Sequence, residues 1–203
     1  MSTKELRSNL YALLSEGFKE PTETFVQEWK SPELTAYFHQ SFVQLAYTIP
    51  LVCYTNLSCQ IQEIAEQRIA FYEAFEGRRL LPIESIYRQW TFDESAEVPF
   101  AKEKGYLMSD SALHMLELYR QYDMELPAEF QSKPDHLCLE LEFMSFLVAH
   151  GNEKMQRLYL AEHLDWLDAF HRDAIDKGIT GFYASLVALV REFVSNDRNF
   201  LKK

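Results

Sequence analysis

The chain has 203 residues, 47% of them hydrophobic and 14% aromatic, which is enough for one well-buried domain and marginal for two. A formal net charge of −11 repels phosphate backbones, so it argues against nucleic acid as a partner and favours a basic one, such as a Lys/Arg-bearing peptide. Cys53, Cys59 and Cys138 are odd in number and make no Cys-x-x-Cys pair, which fits free thiols in a reducing compartment better than a disulfide framework or a structural zinc site.

The first predicted element is a helix opened by a capping box, Ser2 with Glu5, carrying Leu6, Leu10, Leu13 and Leu14, and ended by Gly17. This start is charged and amphipathic, unlike a signal peptide, and no run of ~18 uncharged apolar residues follows anywhere. The expectation is a cytoplasmic protein with no stable membrane insertion. Pro21 and Pro32 each open a further helical stretch. The chain turns irregular near Pro50. A helix capped by Asn56 is predicted to run to Gly77, with Leu57, Ile61, Ile64, Arg68 and Phe71 on one face.

"RRLLPIESIYRQW" has no clean period and reads as a loop or short helix turned by Pro82; a charged connection then reaches Gly105. "MSDSALHMLELYRQYDM" is an amphipathic helix with Met108, Ala112, Leu116 and Tyr119 in register. A Pro-punctuated linker follows, with a possible hinge at 125–134. The stretch from Asp135 to Ala149 is apolar nearly all round, the mark of a central buried helix. Helices from about Asn152 to Lys177 and from Thr180 to about Val194 complete the chain. No period-2 strand stands out. The fold class is therefore all-α, a compact multi-helix bundle forming a single domain over 1–203.

Chemistry is sought first in "PDHLCLELEFM". A di-iron bundle needs two Glu-x-x-His units, and this chain has none; Asp168-x-x-His171 is a lone substitute. His136 and Glu140 lie four apart, a spacing more often a local hydrogen bond or salt bridge than a metal site. Cys138 is too near His136 in sequence to imply a dyad. There is no phosphate-cradling glycine motif and no nucleophile elbow. The stretch reads instead as a helix with a polar start. Pro134 suits the first turn, Asp135 lies near the positive dipole end, and Asp135 or Ser132 caps it. Glu140 and Glu142 are costly if buried alone, so they meet water, an arginine (Arg68, Arg79 or Arg88) or a basic guest.

"PDHLCLELEFM" also resembles the signature of the TorD/DmsD family of redox-enzyme maturation chaperones, related more distantly to nitrate-reductase assembly chaperones. A second element, "RIAFYEAFEG" then "LLPIESIYR", is similar to a family segment, with Glu73, Phe75, Pro82, Ser85, Tyr87 and Arg88 in matching places. "HLDWLDAFHRDA" looks like its His-Leu-x-x-Trp segment at His163, Leu164 and Trp166, and "GFYASLVALVREFV" like its final helix. The elements fall in the family's order from about Arg68 onward.

The resemblance implies a non-catalytic cytoplasmic chaperone, without a cofactor of its own, serving anaerobic respiration. Its partners would be the catalytic subunit of a molybdopterin oxidoreductase and the twin-arginine leader of that subunit. It would aid cofactor insertion and delay export until the enzyme is folded, acting as a monomer or a domain-swapped dimer. The implied peptide-binding residues are Pro82, Glu84, Ser85, Tyr87, Arg88, Pro134, Asp135, His136 and Glu140. Two alternatives stand beside this: a helical metalloprotein or hydrolase using His136, Glu140 and Cys138, and a permanent assembly subunit of an oxidoreductase.

Overall fold

The computed structural model describes residues 1–77 and 80–202. The helices are α1 (Thr3–Glu16), α2 (Glu23–Lys30), α3 (Pro32–Leu45), α4 (Leu57–Gln60), α5 (Ile64–Tyr72), α6 (Glu84–Tyr87), α7 (Asp110–Gln121), α8 (Leu137–His150), α9 (Glu153–His163), α10 (Leu167–Asp176) and α11 (Gly181–Phe200). Among the described residues there is no strand, only one isolated antiparallel bridge, and no helix is long and apolar enough to cross a membrane.

Local chemistry sets several helix starts. Ser2 and Glu5 close the expected capping box on α1: the Ser2 N–H donates to Glu5 Oε2 at 2.7 Å and the Glu5 N–H to Ser2 Oγ at 3.2 Å. Thr22 caps α2, Ser31 caps α3 with Pro32 at its first position, and Asn152 caps α9. Gly17 ends α1 against α11, where an added Cβ would lie 2.5 Å from Leu186 Cδ2, so a side chain there would require the buried Leu186 to shift.

Helix α8 is the centre of the molecule. Nine of its fourteen residues are buried, and Leu137, Leu141, Met144 and Val148 have no exposed surface. Its longest neighbour is α1, and the two approach closely where serines meet. Ser8 Oγ reaches the Ser145 carbonyl at 3.1 Å, and Ser145 Oγ donates to the Ser8 carbonyl at 2.8 Å. Burying each such leucine stabilises the fold by roughly 1.5–3 kcal/mol. Around this core Trp29 packs edge-on to Phe182 at 5.3 Å and Tyr11 to Phe193 at 4.8 Å.

Two expected long helices are broken. The run from Asn56 to Gly77 divides at Ile61, whose backbone is extended. There Gln67 Oε1 accepts the Gln62 N–H at 3.1 Å, while Gln67 Nε2 donates to Tyr183 OH at 3.0 Å, so a buried side-chain amide replaces the helical ladder. The run from Asn152 to Lys177 divides between α9 and α10, where the Trp166 indole N–H donates to the His163 carbonyl at 2.8 Å. The last helix extends past Val194 to Phe200.

Candidate functional site

The loop containing Pro82 and the end of the Pro-punctuated linker are pinned together at the start of α8. Ile83 and His136 form the isolated bridge. The Glu84 N–H donates to the Asp135 carbonyl at 3.0 Å, and the Leu137 N–H to the Pro82 carbonyl at 2.8 Å. Asp135 does not cap its own helix, as the sequence suggested; neither does Ser132, and Pro134 lies ahead of the first turn rather than in it. The cap is His136, whose Nδ1 accepts the Cys138 N–H at 3.3 Å. The Asp135 carboxylate instead accepts the Ser85 N–H at 2.7 Å and the Ser85 hydroxyl, capping the short α6 across the bridge. Ser85 Oγ in turn accepts the Ser109 N–H at 3.2 Å, which ties in the start of α7. Tyr119 OH closes the linker onto the Pro134 carbonyl at 2.9 Å. Burial raises the Asp135 pKa, and the Ser85 bonds oppose that rise.

Next to this junction lies a second layer of buried chemistry. Glu84 and Glu140 are fully buried and adjacent, although they are 56 positions apart in sequence. Glu84 pairs with Arg88 one turn on and accepts a hydrogen bond from His163 Nδ1 at 2.8 Å. Glu140 Oε2 accepts the Trp166 indole N–H at 3.1 Å. Burial, then the neighbouring Glu84 carboxylate, pushes the Glu140 pKa well up, which favours the protonated form of Glu140. His163 Nε2 lies 2.8 Å from His114 Nδ1, which extends the chain of polar atoms to the surface. Arg88 also reaches Asp165 and, at 2.5 Å, the Glu162 carbonyl. Tyr87 stacks on Trp166 at 5.1 Å and donates to Asp173 at 2.9 Å.

The glutamates thus part company. Glu142 is partly exposed and pairs with Lys19 at 2.5 Å rather than with any of the expected arginines. Arg68 turns to Glu20 at 3.5 Å, and Arg88 serves Glu84 rather than Glu140 directly; Arg79 lies outside the described residues. His114 was missed in the sequence, where it looks like any polar residue on an amphipathic helix. Asp168 pairs with Arg191 at 2.6 Å.

His136 Nδ1 and Cys138 Sγ are 3.0 Å apart, yet both side chains are buried. Burial pushes the Cys138 thiol up and holds His136 down to about 3, with Lys133 adding to the latter. A neutral thiol beside a neutral imidazole does not make a thiolate nucleophile. Glu140 points away to Trp166, so the three residues of the hydrolase alternative are not assembled as a catalytic unit.

The junction does form one wall of a surface groove of about 500 Å³. Pro82, Ile83 and His136 border it on one side, and Phe71, Phe75 and Phe130 supply apolar surface. Glu20, Glu76 and Glu129 stand exposed on its rim and outnumber the two lysines there, Lys19, which is paired with Glu142, and Lys133. Of the residues implied by resemblance, Pro82 and His136 line this groove. Glu84, Ser85, Pro134, Asp135 and Glu140 lie buried behind it, and Tyr87 and Arg88 sit on the Trp166 side.

The model of the nitrate reductase delta subunit family matches residues 14–184. Over 125 residues the chain is 28% identical to the chaperone protein TorD of Aliivibrio fischeri, covering 54% of this chain and 58% of that one. It is 24% identical to the TorD chaperone of Aliivibrio salmonicida over 218 residues, 97% of this chain and 95% of the relative. The perchlorate reductase assembly chaperone protein of Dechloromonas aromatica is 24% identical over 207 residues, 93% and 86% of the two chains. The matched segment thus spans a little over half of the first relative and nearly all of the second.

Proposed function

The chain belongs to the nitrate reductase delta subunit family, and from that premise we propose that it is a redox-enzyme maturation chaperone whose guest is the twin-arginine leader and apo-form of a molybdopterin oxidoreductase subunit. It would hold the guest on the cytoplasmic side while the cofactor is inserted and delay its export until it is folded. The observation that carries the reading is the groove beside the Ile83–His136 bridge. It places aromatic side chains next to three exposed carboxylates, and a leader of this kind offers an apolar stretch next to two arginines. The names of two relatives, a chaperone protein TorD and a perchlorate reductase assembly chaperone protein, support it.

In this reading the buried residues of the junction act indirectly. Asp135, Ser85 and Glu84 hold the loop and α8 in register, and so shape the groove wall presented by Pro82 and His136. Exposed charge pairs on the rim contribute only ~0.2–1 kcal/mol each and weaken with salt. Most of the affinity then comes from apolar burial, at ~25 cal/mol per Å² before ordering costs. Calorimetry with the cognate leader peptide tests this. Phe71→Ala is expected to weaken binding more than Glu129→Gln, and replacing the two guest arginines should remove the salt dependence. Weakening by Tyr87→Ala alone would move the guest to the Trp166 side, and absence of any leader binding would end the reading.

A further inference from the structure

Among the described residues, two groups of side chains converge closely enough to hold a metal ion, and both use His163. The inner group, Glu84 with Glu140 and His163, is already committed. Arg88 pairs with Glu84, the Trp166 indole donates to Glu140, and none of the carboxylate surface reaches solvent, so an ion has neither free charge nor an entry path. The outer group, His114 on α7 with Glu162 and His163 at the end of α9, differs in access, and no ion pair among the described residues holds its carboxylate. His114 and Glu162 are exposed, and the three side chains border a surface pocket of about 300 Å³.

We propose that His114 Nδ1, His163 Nε2 and a Glu162 carboxylate oxygen form a site for a divalent transition-metal ion, zinc in the first place, with its fourth position open to that pocket. The donor atoms lie within 4.8 Å of one another. Two nitrogens and one oxygen plus an open position form a familiar zinc donor set. The orientation of His163 is the stronger argument. Glu84, a carboxylate held by Arg88, accepts the hydrogen bond from Nδ1, which fixes the proton there and turns the Nε2 lone pair outward. A carboxylate behind the imidazole is the usual support of a zinc-bound histidine, fixing its tautomer and raising its basicity.

Without metal, His114 fills the position by donating its Nδ1 proton to His163 Nε2 across 2.8 Å. Binding moves that proton to the other nitrogen of His114. It also opens the two nitrogens to ~3.4 Å, the separation set by tetrahedral bonds of about 2.1 Å. The needed half-ångström shift falls on His114, the exposed partner. The ligands come from α7 and α9, so sequence spacing carried no sign of them. The site is independent of the chaperone reading, and its effect is to clamp those two helices together.

The test is calorimetric titration of the untagged, chelator-treated chain with zinc chloride, followed by cobalt substitution. One equivalent should bind, raise the melting temperature, and give cobalt the visible absorption of tetrahedral coordination. His114→Ala and Glu162→Gln, both at exposed positions, should each lower affinity by ~10-fold or more, and Glu84→Gln, as a positioning residue, by ~10–100-fold. His150→Ala should leave it unchanged, with circular dichroism checking the fold of each variant. The proposal fails if zinc does not bind stoichiometrically, or if His114→Ala binds as the wild type does. It also fails if Glu140→Gln abolishes binding, because the ion would then lie in the inner group.

Discussion

Two buried carboxylate clusters in this protein meet their charge in opposite ways. In the first, Asp197 of α11 accepts Arg7 Nε at 2.5 Å and Arg7 Nη2 at 2.9 Å, together with Tyr11 OH at 2.8 Å and the Tyr47 hydroxyl. One negative charge meets one positive charge, and four donors serve two oxygens. Burial, with Asp197 adding to it, pushes both tyrosine pKa values up, so they remain donors. In the second cluster the one arginine, Arg88, pairs with Glu84, and Glu140 is left with its pKa pushed up by burial and by the Glu84 carboxylate. The first is a closed ionic lock between α1 and α11. The second carries surplus carboxylate and leads through His163 to the surface.

The largest expected effect tests the lock. Asp197→Ala leaves a buried guanidinium without its counter-charge, and urea denaturation should show a loss of ~3–5 kcal/mol. Leu141→Ala, in the apolar core and touching neither charge set, should cost ~2–5 kcal/mol and serves as the reference. Glu140→Gln should cost under ~1 kcal/mol at neutral pH, because a neutral amide replaces a carboxyl that is already neutral and can still donate to Glu84. If Glu140→Gln proved as damaging as Asp197→Ala, the contrast between the clusters would collapse.

The pH dependence of stability sharpens the contrast, because His136 and Glu140 act with opposite signs. The unfolded His136 imidazole takes a proton below its ordinary 6.5, whereas the buried one resists until about 3. Its contribution is therefore complete above 6.5 and lost as pH falls from 6.5 towards 3. Glu140 is raised, so its contribution is complete below the ordinary 4.5 and is lost as pH rises above that value. Denaturation across pH should show His136→Asn flattening the acid limb and Glu140→Gln flattening the slope above 4.5. The smallest effect concerns the proposed hinge at 125–134. Its amides should exchange with deuterium faster than those of α8, and equal protection, with no dimer at high concentration, would remove the hinge.

The sequence alone determined the helical class, the central place of α8 and the first helix start. These rest on local rules: all-round apolarity over fourteen residues, and a serine and glutamate three apart. Helix ends and breaks were less legible. The helical pattern Leu160, Leu164, Leu167 runs unbroken through Leu164, yet the helix divides there, where Trp166 stacks on Tyr87 and donates to Glu140. Asp135 looked like a cap for its own helix because sequence shows only neighbours along the chain; its partner, Ser85, stands fifty positions away. The tertiary structure alone brought Glu84 to Glu140 and His114 to His163, since the donors come from separate helices whose mutual placement is set by apolar packing. Residue types and short spacings encode helices and caps; which polar groups must share a proton, or an ion, is decided by what the folded core leaves them to face.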